Sequence, residues 1–118
     1  MPGVVSNVAL TSNPSTTKPI CPGKMIEFTC TTTQSSILLW TSDEYIGVNS
    51  QFQFRSFDPI GTTDSSANAI ANLTAVNGDI LTSTLRIAIT SNIPSSTITC
   101  INSGLGTSNT SMVQVASK

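Results

Sequence analysis

Cys30, Trp40 and Cys100 each close a short run in which every second residue is apolar, and that shared phase constrains the fold more than any other feature of the chain. Ile26, Phe28 and Cys30 alternate with Glu27 and Thr29, and Leu38 and Trp40 repeat the pattern. Ser83, Leu85 and Ile87, then Ile98 and Cys100, carry it through two further segments. A period of two is what a strand with one buried face requires, because successive side chains leave opposite faces of a sheet. No stretch of useful length has helical periodicity and there is no internal repeat, so the chain reads as all-β.

Turn formers divide the chain into strands. A first strand is expected over residues 4–10. Residues 11–19, Thr-Ser-Asn-Pro-Ser-Thr-Thr-Lys-Pro, read as a loop between two parts of an edge strand rather than as an interdomain linker. Pro22-Gly23 turns the chain into the Cys30 strand, and Gln34-Ser35-Ser36 connects that strand to the one carrying Trp40. Asp43-Glu44-Tyr45-Ile46-Gly47 is another turn. Residues 51–57 alternate, with Phe52 and Phe54 on one face, and residues 58–66 read as a loop built on Asp58-Pro59 and Gly61. Asn77-Gly78 is the strongest hairpin signal and should join strands at 69–76 and 80–89. A glycine-rich segment at 102–108 then leads from the Cys100 strand to a last strand at 112–115.

A length of 118 residues suits one domain. Only 9% of residues are charged, and the net charge is −1, so the electrostatic footprint of nucleic acid or anionic membrane binding is missing. No apolar run approaches the roughly 20 residues that span a bilayer. Met1-Pro2-Gly3 reads as the start of a fragment of something larger, with targeting and membrane-anchoring segments outside it. The chain has no histidine, the commonest general base and metal ligand. Asp43 and Glu44 read as a solvated loop tip, while Asp58, Asp64 and Asp79 lie among turn residues without the spacing of a calcium loop. Gly104 and Gly106 belong to a hairpin, not to a phosphate-binding strand-to-helix turn. No catalytic constellation, metal site or cofactor is therefore expected.

The run Cys21-Pro22-Gly23-Lys24-Met25-Ile26-Glu27-Phe28-Thr29-Cys30, followed by Trp40, resembles the entry to the second strand of immunoglobulin-like domains in sponge and cnidarian surface proteins. Leu81-Thr82-Ser83-Thr84-Leu85 together with Thr97-Ile98-Thr99-Cys100 is similar to their fifth and sixth strands, and the likeness covers roughly residues 4–117. It implies an immunoglobulin-like β-sandwich with Greek-key connections. Two strands between Trp40 and Ser83 make it variable-type, with about nine strands. It also implies a disulfide between Cys30 and Cys100, Trp40 packed on the bridge, and Leu85 and Ile98 in the core. Closing a loop of about 70 residues contributes roughly 4 kcal/mol by chain-entropy arithmetic, and only an oxidising compartment makes use of it. Vertebrate variable domains carry a tyrosine where Ile98 stands and an acid where Pro94 stands. The tyrosine corner is therefore missing, as is the usual acidic partner for a cation such as Arg55.

Two sequons, Asn72-Leu73-Thr74 and Asn109-Thr110-Ser111, also suit an extracellular protein, whereas Asn13-Pro14-Ser15 fails on its proline. Asn72 should face solvent if Ala71 and Leu73 face inward. Cys21 is left over, either a thiol without a partner in this segment or the donor of an intermolecular bridge that makes a homodimer. The resemblance implies surface recognition by the ectodomain of a single-pass membrane protein. One class is a receptor module, receptor tyrosine kinases included, that binds a protein ligand. The other is a homophilic adhesion or self-recognition module that binds another immunoglobulin-like domain. In either class the expected surface is the 102–108 hairpin, with Leu105 between Gly104 and Gly106, plus the sheet formed by the strands of Trp40, Cys100 and residues 112–115.

Overall fold

Alternating burial organises the chain into nine strands. In the computed structural model, which describes residues 7–93 and 95–116, they are β1 (Val8–Asn13), β2 (Met25–Thr32), β3 (Ile37–Thr41), β4 (Phe52–Arg55), β5 (Thr63–Ser65), β6 (Ala69–Asn77), β7 (Ile80–Ala88), β8 (Ser95–Asn102) and β9 (Thr107–Gln114). There is no helix among the described residues. One sheet has the order β1-β2-β7-β6-β5 and the other β4-β3-β8-β9, and all strand pairs are antiparallel. The chain crosses between sheets after β2, β4 and β7, which makes the connectivity a Greek key.

The inward positions are those the alternation assigned. Ile26, Phe28, Cys30, Leu38, Trp40, Leu85, Ile87, Ile98 and Cys100 are all fully buried. Cys30 and Cys100 are joined by a disulfide between the sheets. Trp40 stands opposite Cys100 in the β3–β8 ladder and Ser83 opposite Cys30 in the β2–β7 ladder, so indole and bridge share one layer. The indole Nε1 donates to Ser83 Oγ at 2.9 Å, and that hydroxyl donates to the Asn72 carbonyl at 2.8 Å. A serine in an apolar phase thus supplies the acceptor that a buried indole needs. The protein is a variable-type immunoglobulin-like β-sandwich.

Some boundaries depart from the sequence reading. The first strand, expected over residues 4–10 of which 4–6 lie outside those described, starts at Val8 and runs on to Asn13, because its pairing with β2 continues to Asn13 opposite Glu27. The loop that follows leads to Ile20, which bridges Val115 in parallel, so 11–19 does connect two parts of an edge segment, and the second part joins the other sheet. The region 58–66 is not wholly a loop: β5 pairs with β6, although all three of its residues are exposed and carry no apolar signal. This strand lies on the five-stranded sheet, whereas variable domains usually add both extra strands to the other. The segment expected at 51–57 shortens to β4. In the hairpin between β6 and β7 the two turn residues are Gly78 and Asp79, with Asn77 paired to Ile80. Gly78 has φ +63°, the conformation a type II′ turn needs at its first central position. A bulge at Thr74 shifts the register by one, so Val76 as well as Leu73 packs inward.

Candidate functional site

The connections after β2, β4, β6 and β8 gather at one end of the sandwich, and a buried asparagine ties three of its segments together. Asn102, the last residue of β8, is fully buried. Its Nδ2 donates to the carbonyls of Thr33 at 2.7 Å and Asn7 at 3.3 Å, while its Oδ1 accepts from the Leu105 N–H at 3.1 Å. Ser103 N–H donates to the Ile37 carbonyl at 3.1 Å, and Ser35 N–H to the Asp79 carbonyl at 3.1 Å. Gly104 lies close to the loop after β2: a Cβ there would meet the Gln34 carbonyl oxygen and Ser35 Cα at 3.4 Å, ordinary van der Waals contact. Gly106 N–H closes the hairpin onto the Asn102 carbonyl at 2.8 Å. Leu105 is thereby held at the tip with 45% of its surface exposed.

Below this end, the outer face of the four-stranded sheet carries a strip of apolar side chains. Ile37 and Leu39 of β3 and Ile101 of β8 point outward and are half-buried by one another. Leu39 pairs with Gln53 on one side and Ile101 on the other, and Ile101 pairs with Ser108. Thr41, Thr99 and Thr110 form the adjoining polar row, with a 3.0 Å hydrogen bond between the hydroxyls of Thr99 and Thr110. Met112, on the edge strand, is 59% exposed. Outward positions of a solvated antiparallel face are normally polar, so an aliphatic strip there is the informative departure. The expected surface and the tip residue Leu105 are therefore brought to one side of the molecule.

Phe57 lies just beyond β4 and is 78% exposed. The Arg55 guanidinium sits 5.7 Å from its ring centroid, within cation–π range. Asp58 Oδ2 accepts from the Arg55 N–H at 2.7 Å, and the Asp58 N–H donates to the Arg55 carbonyl at 3.0 Å. These bonds satisfy the outward backbone groups of Arg55 at the end of the β4 edge. Neither Asn102 nor Phe57 was singled out from the sequence. A signal existed for Asn102 alone, which keeps the inward phase of Ile98 and Cys100.

The two sequon asparagines lie away from the apolar strip. Asn72 faces outward on the five-stranded sheet between buried Ala71 and Leu73, as expected, and its Oδ1 accepts from the Thr84 hydroxyl at 2.5 Å. Asn109 shares the phase of Val113 rather than that of Met112, and its Nδ2 reaches the Val8 carbonyl at 3.3 Å. A sugar on Asn109 would leave toward β1. Cys21 is exposed and unpaired. The one ion pair among the described residues, Arg86 with Glu27 at 2.8 Å, is on the outer face of the five-stranded sheet, exposed to solvent. At such exposure it is worth less than about 1 kcal/mol. No group of three or more potential metal ligands converges among the described residues.

At the opposite end, Tyr45 from the connection after β3 is buried, and burial pushes its phenol pKa up against the opposing effect of the nearby Thr90 backbone. Glu44 adds to the rise and the Ser96 hydroxyl opposes it. Tyr45 does not stand in for the missing tyrosine corner, because its buried hydroxyl makes no hydrogen bond among the described residues. Arg55 ends β4 at the loop end and makes no ion pair among the described residues. Pro94 itself lies outside the described residues. Comparison with protein-family models, curated proteins and solved structures finds no match to this chain.

Proposed function

We propose that this domain is an extracellular recognition module of a cell-surface receptor, and that it binds a protein through the outer face of its four-stranded sheet and the adjoining loop end. The carrying observation is the strip of Ile37, Leu39 and Ile101 on an outward sheet face, continued by exposed Met112 and Leu105. Aliphatic and aromatic groups that survive on a solvated face are the usual centre of a protein–protein contact. The disulfide and the low charge are compatible with an extracellular setting. The polar rim of threonines and the hairpin held by Asn102 suit a preformed contact surface, which loses little conformational freedom on binding.

The test is a binding screen of the disulfide-bonded domain against arrayed extracellular proteins, followed by titration of the strongest binder with wild type, Leu105→Ala and Ile101→Thr. Both substitutions should weaken binding. Wild-type affinity in both variants would move the site to another surface. Asn109→Gln should leave affinity unchanged, because Asn109 points toward β1.

A further inference from the structure

Of all the outward positions on β3, β4, β8 and β9, only Arg55 is charged. Among the described residues its guanidinium makes no ion pair. Asp58, the adjacent acid, is committed to the Arg55 backbone N–H, and the ion pair among the described residues lies on the other sheet. The guanidinium is nonetheless held in place. Phe57 lies against it at 5.7 Å, and the Gln53 amide oxygen, in the orientation that satisfies both groups, accepts from Nε at 2.9 Å and Nη2 at 3.0 Å. Nη1 remains for an outside acceptor. A fixed cation on an otherwise uncharged face, beside an exposed aromatic ring, matches the Arg and aromatic anchors that dominate protein interfaces.

We propose that Arg55, positioned by Phe57 and Gln53, sets the specificity of this face, and that its partner is a different protein presenting a carboxylate beside an apolar side chain. A second copy of this chain does not fit. The outward positions of its four strands carry no acid, and Asp58 at its rim already accepts from the Arg55 N–H, so a face-to-face homodimer would bring two Arg55 cations toward one sheet face without supplying a carboxylate from that face. The inference rests on the four-stranded sheet being the binding face, and it adds the partner's charge and the exclusion of self-binding.

The experiment selects from a library of random linear peptides on the immobilised Cys21→Ser domain, a variant in which no intermolecular disulfide can form. The enriched peptides should carry Asp or Glu next to an aliphatic or aromatic residue. They should bind Arg55→Gln about tenfold more weakly, and lose affinity with rising salt. Phe57→Ala should weaken them as well, and Arg55→Lys should restore only part of the binding, because an ammonium cannot reproduce the stacked, forked geometry. Peptides that lose binding to Ile101→Thr yet keep it with Arg55→Gln would leave the face as the site and overturn the acidic-partner inference. Indifference to both substitutions, or a selection that enriches nothing, overturns the inference together with the face. Sedimentation of the same Cys21→Ser protein should show a monomer at micromolar concentration. A dimer abolished by Ile101→Thr would mean self-recognition through this face, against the proposal.

Discussion

Replacing Asn102 with alanine should unfasten the loop end and cost the domain a large share of its stability. The substitution removes three hydrogen bonds, to the Thr33 carbonyl at 2.7 Å, the Asn7 carbonyl at 3.3 Å and the Leu105 N–H at 3.1 Å. Each is worth about 1 kcal/mol net, and a buried group left without a partner adds its own desolvation cost. Asn102 is fully buried, but Asn7 and Leu105 lie near enough to the surface for water to repair part of the loss. The expected destabilisation is therefore about 2–4 kcal/mol, against total stabilities of roughly 5–15 kcal/mol for domains of this kind. For a chain of this length that lowers Tm by roughly 8–16 °C. Asn102→Asp should be worse than alanine, because a carboxylate oxygen would then face the Thr33 carbonyl where a donor stood. Calorimetry measures the first quantity. Amide exchange at Leu105 separates loop release from a general loss of stability, since its N–H should lose protection in Asn102→Ala well before the β2 and β7 amides do. A variant within about 0.5 kcal/mol of wild type, or an unchanged Leu105 amide, would refute the reasoning.

Replacing Cys30 and Cys100 together with alanine should cost about 4 kcal/mol in denaturant titration, because a 70-residue loop is released in the unfolded chain. Ser83→Val should cost about 1–3 kcal/mol by stranding the Trp40 N–H, and most of that penalty should vanish in the double variant with Trp40→Phe, as a double-mutant cycle will show. Tyr45 has a folded-state pKa above its unfolded value, so its contribution is complete below about pH 10 and is lost as pH rises through the folded pKa. Melting curves at alkaline pH should thus fall less steeply for Tyr45→Phe than for wild type. Any covalent dimer on a non-reducing gel should disappear in Cys21→Ser, and a dimer that persists would assign the bridge to another cysteine.

Much of the sandwich was legible because its inward positions follow an unbroken period of two. Phe28, Cys30, Trp40, Leu85 and Cys100 each sit in the phase that the flanking residues announce, and burial by two packed sheets enforces that phase. β5 was illegible for the converse reason. Thr63, Asp64 and Ser65 bury nothing, and their strand conformation comes from pairing with β6, a long-range event with no local signature. The turn at Gly78 and Asp79 slipped by one residue from its dipeptide signal, because a type II′ turn wants glycine first, whereas the type I′ turn wants it second. Within the site, Leu105 was visible as an apolar residue between glycines. Asn102 was hidden by its polarity: nothing in a sequence says which buried amide will find three backbone partners. Phe57 was hidden by its neighbours, since Phe52 and Phe54 made the segment look like a strand whose aromatics all point inward.

The crossing of the edge segment at Ile20 has a mechanical consequence. Ile20 N–H donates to the Gln114 carbonyl at 2.8 Å, and the Ala116 N–H donates to the Ile20 carbonyl at 2.8 Å, so the chain at Ile20 and at 114–116 runs side by side in the same direction. Tension applied to the ends of a parallel pair loads its hydrogen bonds together in shear, whereas a hairpin pulled from its open end unzips one bond at a time. From the C-terminal side this short clasp meets a transmitted force ahead of β9, while from the N-terminal side the pairing of β1 with β2 precedes it. Behind it the disulfide sets a hard stop. The span between Cys30 and Cys100, with a sequence separation of 70, is closed by a covalent bond and cannot be drawn out, so only chain outside the bridge lengthens under load. Once the segments outside the bridge are extended, the load passes through the sulfur bridge itself and spares the strands that it encloses.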